Sequence, residues 1–256
     1  MKSRIITIFF ILIFSGYKSV YSEQITYDKP GLYDKISLGA GVAVLAGLHF
    51  FRNYIGPENP RIVNPTSVDV GARESFYWGS SYNKAAITSD ILALTLVSSA
   101  FWAPALGSAS YYSNFHLMSE SIVYTGLLAQ LVKFTAGRQR PYSYYQTRET
   151  NGDVDANYSF FSGHTSIAFA AATTGSFILS EKYKKYSIPI FTAAYLLASI
   201  TGYLRIASDS HYLTDVLTGA VIGIGSGLLT YHLRRQWVNQ TSFSDKSVHL
   251  SKSVSF

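Results

Sequence analysis

Apolar stretches recur along this chain at a length that suits helices. They run over 36–51, 89–112, 117–135, 165–180, 187–204 and 213–233, about 16–24 residues each and close to the roughly 20 that a bilayer span needs. Polar connections separate them. Residues 23–35 form a polar lead-in around Pro30-Gly31, and 52–87 read as loop, broken by Pro57, Pro60 and Pro65. The loop 142–160 carries four of the chain's tyrosines, and the tail from Asn239 is serine-rich and reads as disordered. Alanine, glycine, serine and threonine are frequent inside the apolar stretches, which permits close helix packing. The pattern predicts an all-α fold, a membrane-embedded helical bundle of about six helices.

A further apolar run, Ile5 to Phe14, follows Lys2 and Arg4 and leads into small residues, with Val20 and Ser22 placed for cleavage before Glu23. This is the layout of a signal peptide over 1–22, the alternative being an uncleaved N-terminal anchor. The expected organisation is therefore 1–22 as leader, 23–87 as an N-terminal polar region with a short apolar helix at 36–51, 88–238 as the helical domain, and 239–256 as tail.

Composition sharpens the picture modestly. Hydrophobic residues make up 48% of the 256 and charged residues 14%, against about 25% charged in an ordinary soluble domain. The net charge of +6 raises the question of nucleic acid, but the longest basic cluster is Lys182-Tyr183-Lys184-Lys185 and no basic run is interleaved with aromatics. Nucleic acid is not an expected partner. With no cysteine, the chain has no disulfide framework, thiolate nucleophile or thiolate zinc site. The 20 tyrosines are assigned no chemistry, because interface and packing roles account for them.

Three clusters of polar residues beside apolar stretches carry candidate chemistry. Lys133 closes the 117–135 segment, and Arg140-Pro141 follows after Gly137 has released the chain from helical geometry. Two cations converging there suit a phosphate, lysine as point charge and arginine as fork; a juxtamembrane basic patch is the plainer alternative. Ser162-Gly163-His164 opens the 165–180 segment. A helix start offers unpaired N–H groups to an anion, Ser162 is a natural cap, Gly163 permits close approach, and His164 is placed to protonate a leaving oxygen. A simple cap explains the same residues. Arg205, His211 and Asp215 form the third cluster. His211 and Asp215 stand four apart, so on a helix they share a face and are placed to hydrogen-bond. That would leave one imidazole nitrogen as base or nucleophile. A metal site is the rival reading, opposed by the three nearby cations.

Taken together, the clusters resemble the tripartite signature of the type 2 phosphatidic acid phosphatase and vanadium haloperoxidase superfamily. Here the signature reads Lys133 to Arg140-Pro141, then Phe161-Ser162-Gly163-His164, then Leu204-Arg205, His211 and Asp215. Phe161 stands where the family has proline and Leu204 where it has serine. The resemblance covers roughly residues 88–235. It implies that His211 attacks phosphorus, that Asp215 orients its ring, and that His164 protonates the leaving oxygen and later activates water. Lys133, Arg140, Ser162, Gly163 and Arg205 would hold the phosphate oxygens, without metal or cofactor.

For spanning helices the clusters also imply a topology. The basic turn at 182–185 and the end at Arg234-Arg235 fall on the face opposite the site, which places the site outside by the positive-inside rule, on the periplasmic side of a bacterial inner membrane. A cleaved leader, however, would leave no room for a crossing at 36–51. The expected substrate is an amphiphilic phosphate, such as a polyprenyl pyrophosphate, phosphatidate, phosphatidylglycerophosphate or lipid A. Alternatives are a soluble periplasmic acid phosphatase, a haloperoxidase, and a non-catalytic membrane scaffold or transporter subunit.

Overall fold

Small side chains decide which helix sits in the middle. The computed structural model describes residues 30–150 and 153–253, with side chains through Arg234; the leader expected at 1–22 lies outside the described residues. Six long helices run between the two ends of a bundle: α1 (Leu32–Phe50), α4 (Tyr82–Leu106), α5 (Tyr111–Ala136), α7 (Gly163–Lys182), α8 (Ser187–Ala207) and α9 (Leu213–Ser253), with short α2 (Arg52–Ile55), α3 (Ser67–Phe76) and α6 (Pro141–Tyr144) between them. Rich in Ala, Ser and Thr, α7 is buried along most of its length and packs against α4, α5, α8 and α9 at once. The closest approach is to α9. A Cβ on Gly219 would stand 2.7 Å from the Ser162 carbonyl, and one on Gly223 would stand 2.2 Å from the Ser166 carbonyl. Only glycine permits that backbone spacing.

The outer faces are apolar. Val42 and Val44 of α1, Ile91 and Phe101 of α4, Leu196 of α8 and Val221 of α9 are all exposed. Three stretches, Gly79–Leu106, Lys184–Ala207 and Leu213–Arg234, are long and apolar enough to cross a membrane. Among the described residues the fold is all-α, as the sequence pattern predicts, and membrane-like in character.

Several boundaries differ from expectation, each for a local reason. Helix α3 lies inside the stretch read as loop. The three prolines all precede it, and Thr66 caps it by accepting from the Asp69 N–H while Asp69 reaches back to the Thr66 N–H. The break between α4 and α5 falls at Gly107–Ser110, not at 113–116. Ser110 caps α5, and the polar Asn114 and His116, in the gap between the two apolar stretches, are buried within the helix. Helix α9 continues through Ser253 where a disordered tail was expected from Asn239. No glycine or proline interrupts the sequence from Leu228 to Ser253, and serine alone is only mildly unfavourable in a helix.

The direction of α1 matters for the site. Its Asp34 pairs with Arg234 at 2.8 Å and its Gly41 lies against Val123 and Tyr124. Beyond its end, the Arg52 carbonyl accepts from the Tyr158 hydroxyl at 2.8 Å. Helix α1 therefore traverses the bundle alongside α5 and starts at the end marked by Arg234, opposite the loops that carry the candidate chemistry.

Candidate active site

One end of the bundle gathers all eight predicted residues. Lys133 lies in the last turn of α5, which Gly137 ends in the left-handed region at φ 54°. Arg140 is the extended residue before α6, with Pro141 at that helix's first position. Ser162 caps α7, and Gly163 and His164 open it. Arg205 closes α8, His211 sits in the turn before α9, and Asp215 is in the first turn of α9. The Lys133 ammonium lies beside Gly163, and Arg140 Nη1 donates to His211 Nε2 at 3.3 Å. The Ser162 hydroxyl accepts from the Thr165 N–H at 3.4 Å and from its hydroxyl at 2.8 Å. Both lone pairs are thus engaged in capping, and its proton is the part left for a ligand.

His211 is almost fully buried. Its Nδ1 donates to the Ser159 carbonyl at 2.7 Å, so the lone pair belongs to Nε2, the nitrogen facing Arg140. Burial first, and then the positive charges of Arg140, Lys133 and Arg205, push its pKa well below that of a free imidazole. The ring is neutral at physiological pH, with one unprotonated nitrogen surrounded by cations.

The hydrogen bond expected between His211 and Asp215 is not made. The two approach only to 3.7 Å, because the Asp215 oxygens are taken by Arg138 Nη1 at 2.5 Å, the Ser159 hydroxyl at 2.5 Å and the Tyr212 N–H at 2.9 Å. Ser159 stands between them, its hydroxyl on the carboxylate and its carbonyl on the imidazole. Asp215 reaches His211 through Ser159 and through space.

Several residues at the site were not legible in the sequence. Arg138 bridges Asp215 and Asp69, the latter at 2.7 Å, and lies over the Tyr212 ring. Asp69 accepts from the Thr214 N–H at 2.9 Å. Burial alone would raise its pKa, but the Thr214 N–H and Arg138 hold it below the ordinary carboxylate value. Arg73 grips Asp209 with two bonds, at 2.6 and 2.9 Å, so α3 fixes both ends of the turn that carries His211. Asp155 takes Arg140 on its carbonyl at 2.8 Å and its carboxylate at 3.1 Å. Burial would raise the Asp155 pKa, yet Arg140 and Lys133 bring it down to about 2. Asp90, on α4, lies 3.1 Å from His164 Nε2 and 3.0 Å from Arg205 Nη1. The capping box Thr66-x-x-Asp69 was a readable signal for α3, whereas nothing local marks Asp90, Asp155 or Asp209.

The two departures from the signature are packing residues. Phe161 is 2% exposed, and Leu204 is buried with Ala85 and Ala207 between α8 and α4. Leu204 thus occupies a helix contact made of small side chains.

Two histidines, three cations and a carboxylate gather at one end of the bundle, a donor set whose chemistry suits a phosphate. Residues 114–239 match the PAP2 superfamily, and the chain carries a domain of that superfamily. It is 36% identical over 113 residues to a lipid A 1-phosphatase of Porphyromonas gingivalis, covering 44% of this chain and 21% of that protein. It is 28% identical over 127 residues to lipid phosphate phosphatase 1 of Arabidopsis thaliana, covering 40% of this chain and 39% of that protein. A PA-phosphatase related-family protein of Dictyostelium discoideum is 27% identical over 145 residues, 52% of this chain and 51% of its own. The matched region is between about a fifth and about half of these relatives' lengths.

Proposed function

We propose that this chain is a metal-independent phosphatase that hydrolyses lipid phosphate or pyrophosphate monoesters through a phosphohistidine, at the outer face of the membrane. The observation that carries the reading is His211 Nε2, an unprotonated buried nitrogen bonded to Arg140 and surrounded by the charges of Lys133 and Arg205. In the first step Nε2 attacks phosphorus and the bond to the leaving oxygen breaks, His164 supplying the proton that oxygen takes. In the second, water attacks phosphorus, the P–N bond breaks, and His164 takes the proton from water. Lys133, Arg140 and Arg205, with the Gly163 N–H and the Ser162 hydroxyl, hold the equatorial oxygens where charge gathers. Asp215 stabilises the charge that His211 acquires on phosphorylation.

Cations already placed on the phosphate make a divalent ion unnecessary and electrostatically unwelcome. Turnover is expected to persist in EDTA, and vanadate is expected to inhibit as a mimic of the five-coordinate transition state. A strict need for added magnesium, manganese or zinc, measured as phosphate release from a purified and chelated sample, would refute metal independence.

The lipid substrate class is supported by the apolar outer faces of α1, α4, α8 and α9 and by the names of the relatives. Those faces weigh against a soluble periplasmic enzyme. With α1 traversing, six crossings put residue 30 and Arg234 on one side and the site on the other. Lys35, Lys182, Lys184 and Lys185 share the Arg234 side, which the positive-inside rule makes cytoplasmic. A leader cleaved before Glu23 would instead release residue 30 outside and turn the site inward, so the leader and the basic clusters make opposite demands. We assign the site to the outside, because reversal would carry the basic clusters across at several kcal/mol in total on the order of the insertion scales. The chain has no cysteine, so single cysteines at Glu149, on the site side, and at Lys185 are clean probes. An impermeant thiol reagent applied to intact cells or spheroplasts is expected to label Glu149→Cys and spare Lys185→Cys. The reverse pattern would turn the protein over.

A further inference from the structure

Asp90 is contributed by α4, outside residues 114–239 of the family match, yet it touches two members of the site on two other helices. Its Oδ1 lies 3.1 Å from His164 Nε2 and 3.0 Å from Arg205 Nη1. The Ser89 hydroxyl, also on α4, accepts from the same Arg205 nitrogen at 3.0 Å. The simplest role for such a carboxylate is counter-ion to Arg205. The second contact calls for more, because His164 has a specific charge problem. As an acid it must carry a proton, yet Arg205 from α8 and Lys133 from α5 both oppose a charged ring, and Asp90 is the carboxylate set against it.

Resting on the phosphatase reading above, we propose that Asp90 is a positioning residue for the proton-transfer step, holding His164 by Nε2–H so that the ring's other nitrogen, Nδ1, gives the proton to the leaving oxygen. An ionised carboxylate only accepts, so the bond to Asp90 keeps a proton on Nε2 and fixes the tautomer. The second proton, on Nδ1, is the one transferred. It passes to the leaving oxygen as the P–O bond breaks and His211 takes the phosphoryl group. The neutral ring then accepts a proton from the attacking water at Nδ1 as the P–N bond breaks. The cycle closes with Asp90 ionised throughout. The Asp90 side chain is 57% exposed, and its inward oxygen Oδ1 is the one that meets both His164 and Arg205.

The test separates proton donation from phosphate binding with one pair of substrates, a long-chain alkyl phosphate and its bridging-sulfur analogue, presented in the same detergent micelles. The thiolate departs without a proton and the alkoxide does not. Asp90→Asn is expected to slow kcat on the oxygen ester by about 10- to 100-fold, within the range of general-acid effects, and on the sulfur ester by less than about threefold. Asp90→Glu is expected to recover much of the loss, and His164→Ala to show the same selectivity more strongly. Equal losses on both esters in Asp90→Asn, from misfolding or from a displaced Arg205, would overturn the proposal, as would no loss on either. If the unaltered chain hydrolyses neither ester, the phosphatase reading itself has failed.

Discussion

His211→Ala is expected to abolish both turnover and covalent labelling by phosphate. The substitution removes the one atom that forms the P–N bond while leaving Lys133, Arg140 and Arg205 free to bind substrate. The loss should therefore appear in kcat, by at least about 10⁴-fold, with KM little changed, as when the nucleophile is removed from other covalent enzymes. His164→Ala is expected to behave differently. Phosphorylation of His211 slows because the leaving oxygen finds no proton, but a labelled protein still accumulates with an activated substrate. Rapid quench under alkaline conditions, which preserves a phosphoramidate, is the measurement. Acid-labile label surviving in His211→Ala would show that another residue is attacked.

Arg138→Ala is expected to be the most destabilising single change at this end of the bundle. Arg138 is 6% exposed and holds two carboxylates, Asp69 and Asp215, neither of which has any exposed surface. Its Nη1 also donates to the Thr214 hydroxyl at 2.7 Å, so one side chain ties α3, the loop after α5 and the start of α9 together. Truncation leaves two buried negative charges without their cation. Breaking a buried pair in this way costs about 3–5 kcal/mol, a large part of a typical protein's total stability of roughly 5–15 kcal/mol. Asp69→Asn should cost less, because its oxygen still accepts and Arg138 keeps Asp215. Thermal unfolding in detergent decides the matter. An Arg138→Ala protein that melts within a degree of the unaltered chain would show that the cluster contributes nothing to folding. Activity should fall with stability, since Arg138 would no longer fix Asp215, which holds the Ser159 hydroxyl beside His211.

The course of the chain was legible because hydrophobic periodicity and capping act over a few residues. The segments at 165–180 and 187–204 lie within α7 and α8, and Ser162 caps where its residue type says it should. The errors came where a polar residue was read as a loop signal without knowledge of its neighbours. Asn114 and His116 fall in the gap between the apolar stretches 89–112 and 117–135, but the bundle buries them, and the His116 ring nitrogen bonds the Asp34 carbonyl of α1 at 2.9 Å. The three prolines made 52–87 read as loop, but they end before the Thr66–Asp69 capping box.

The site divides along the same line. The sequence by itself offered residue types that suit a phosphate, lysine, arginine and histidine placed beside helix ends. Lys133, Arg140, His164, Arg205 and His211 were grouped by their resemblance to one signature, and the structure places them at one end of one bundle. Only the tertiary structure decided what holds each of them. The sequence offers Asp215 to His211 because they are four residues apart, but the packed chain gives that bond to the Ser159 carbonyl and turns Asp215 to Arg138. The sequence says nothing of Asp69 and Arg138, or of Asp90 beside His164, because those pairs join helices far apart along the chain. A hydrogen bond depends on positions accurate to a few tenths of an ångström, and for residues so separated only the packing of the helices around α7 sets those positions.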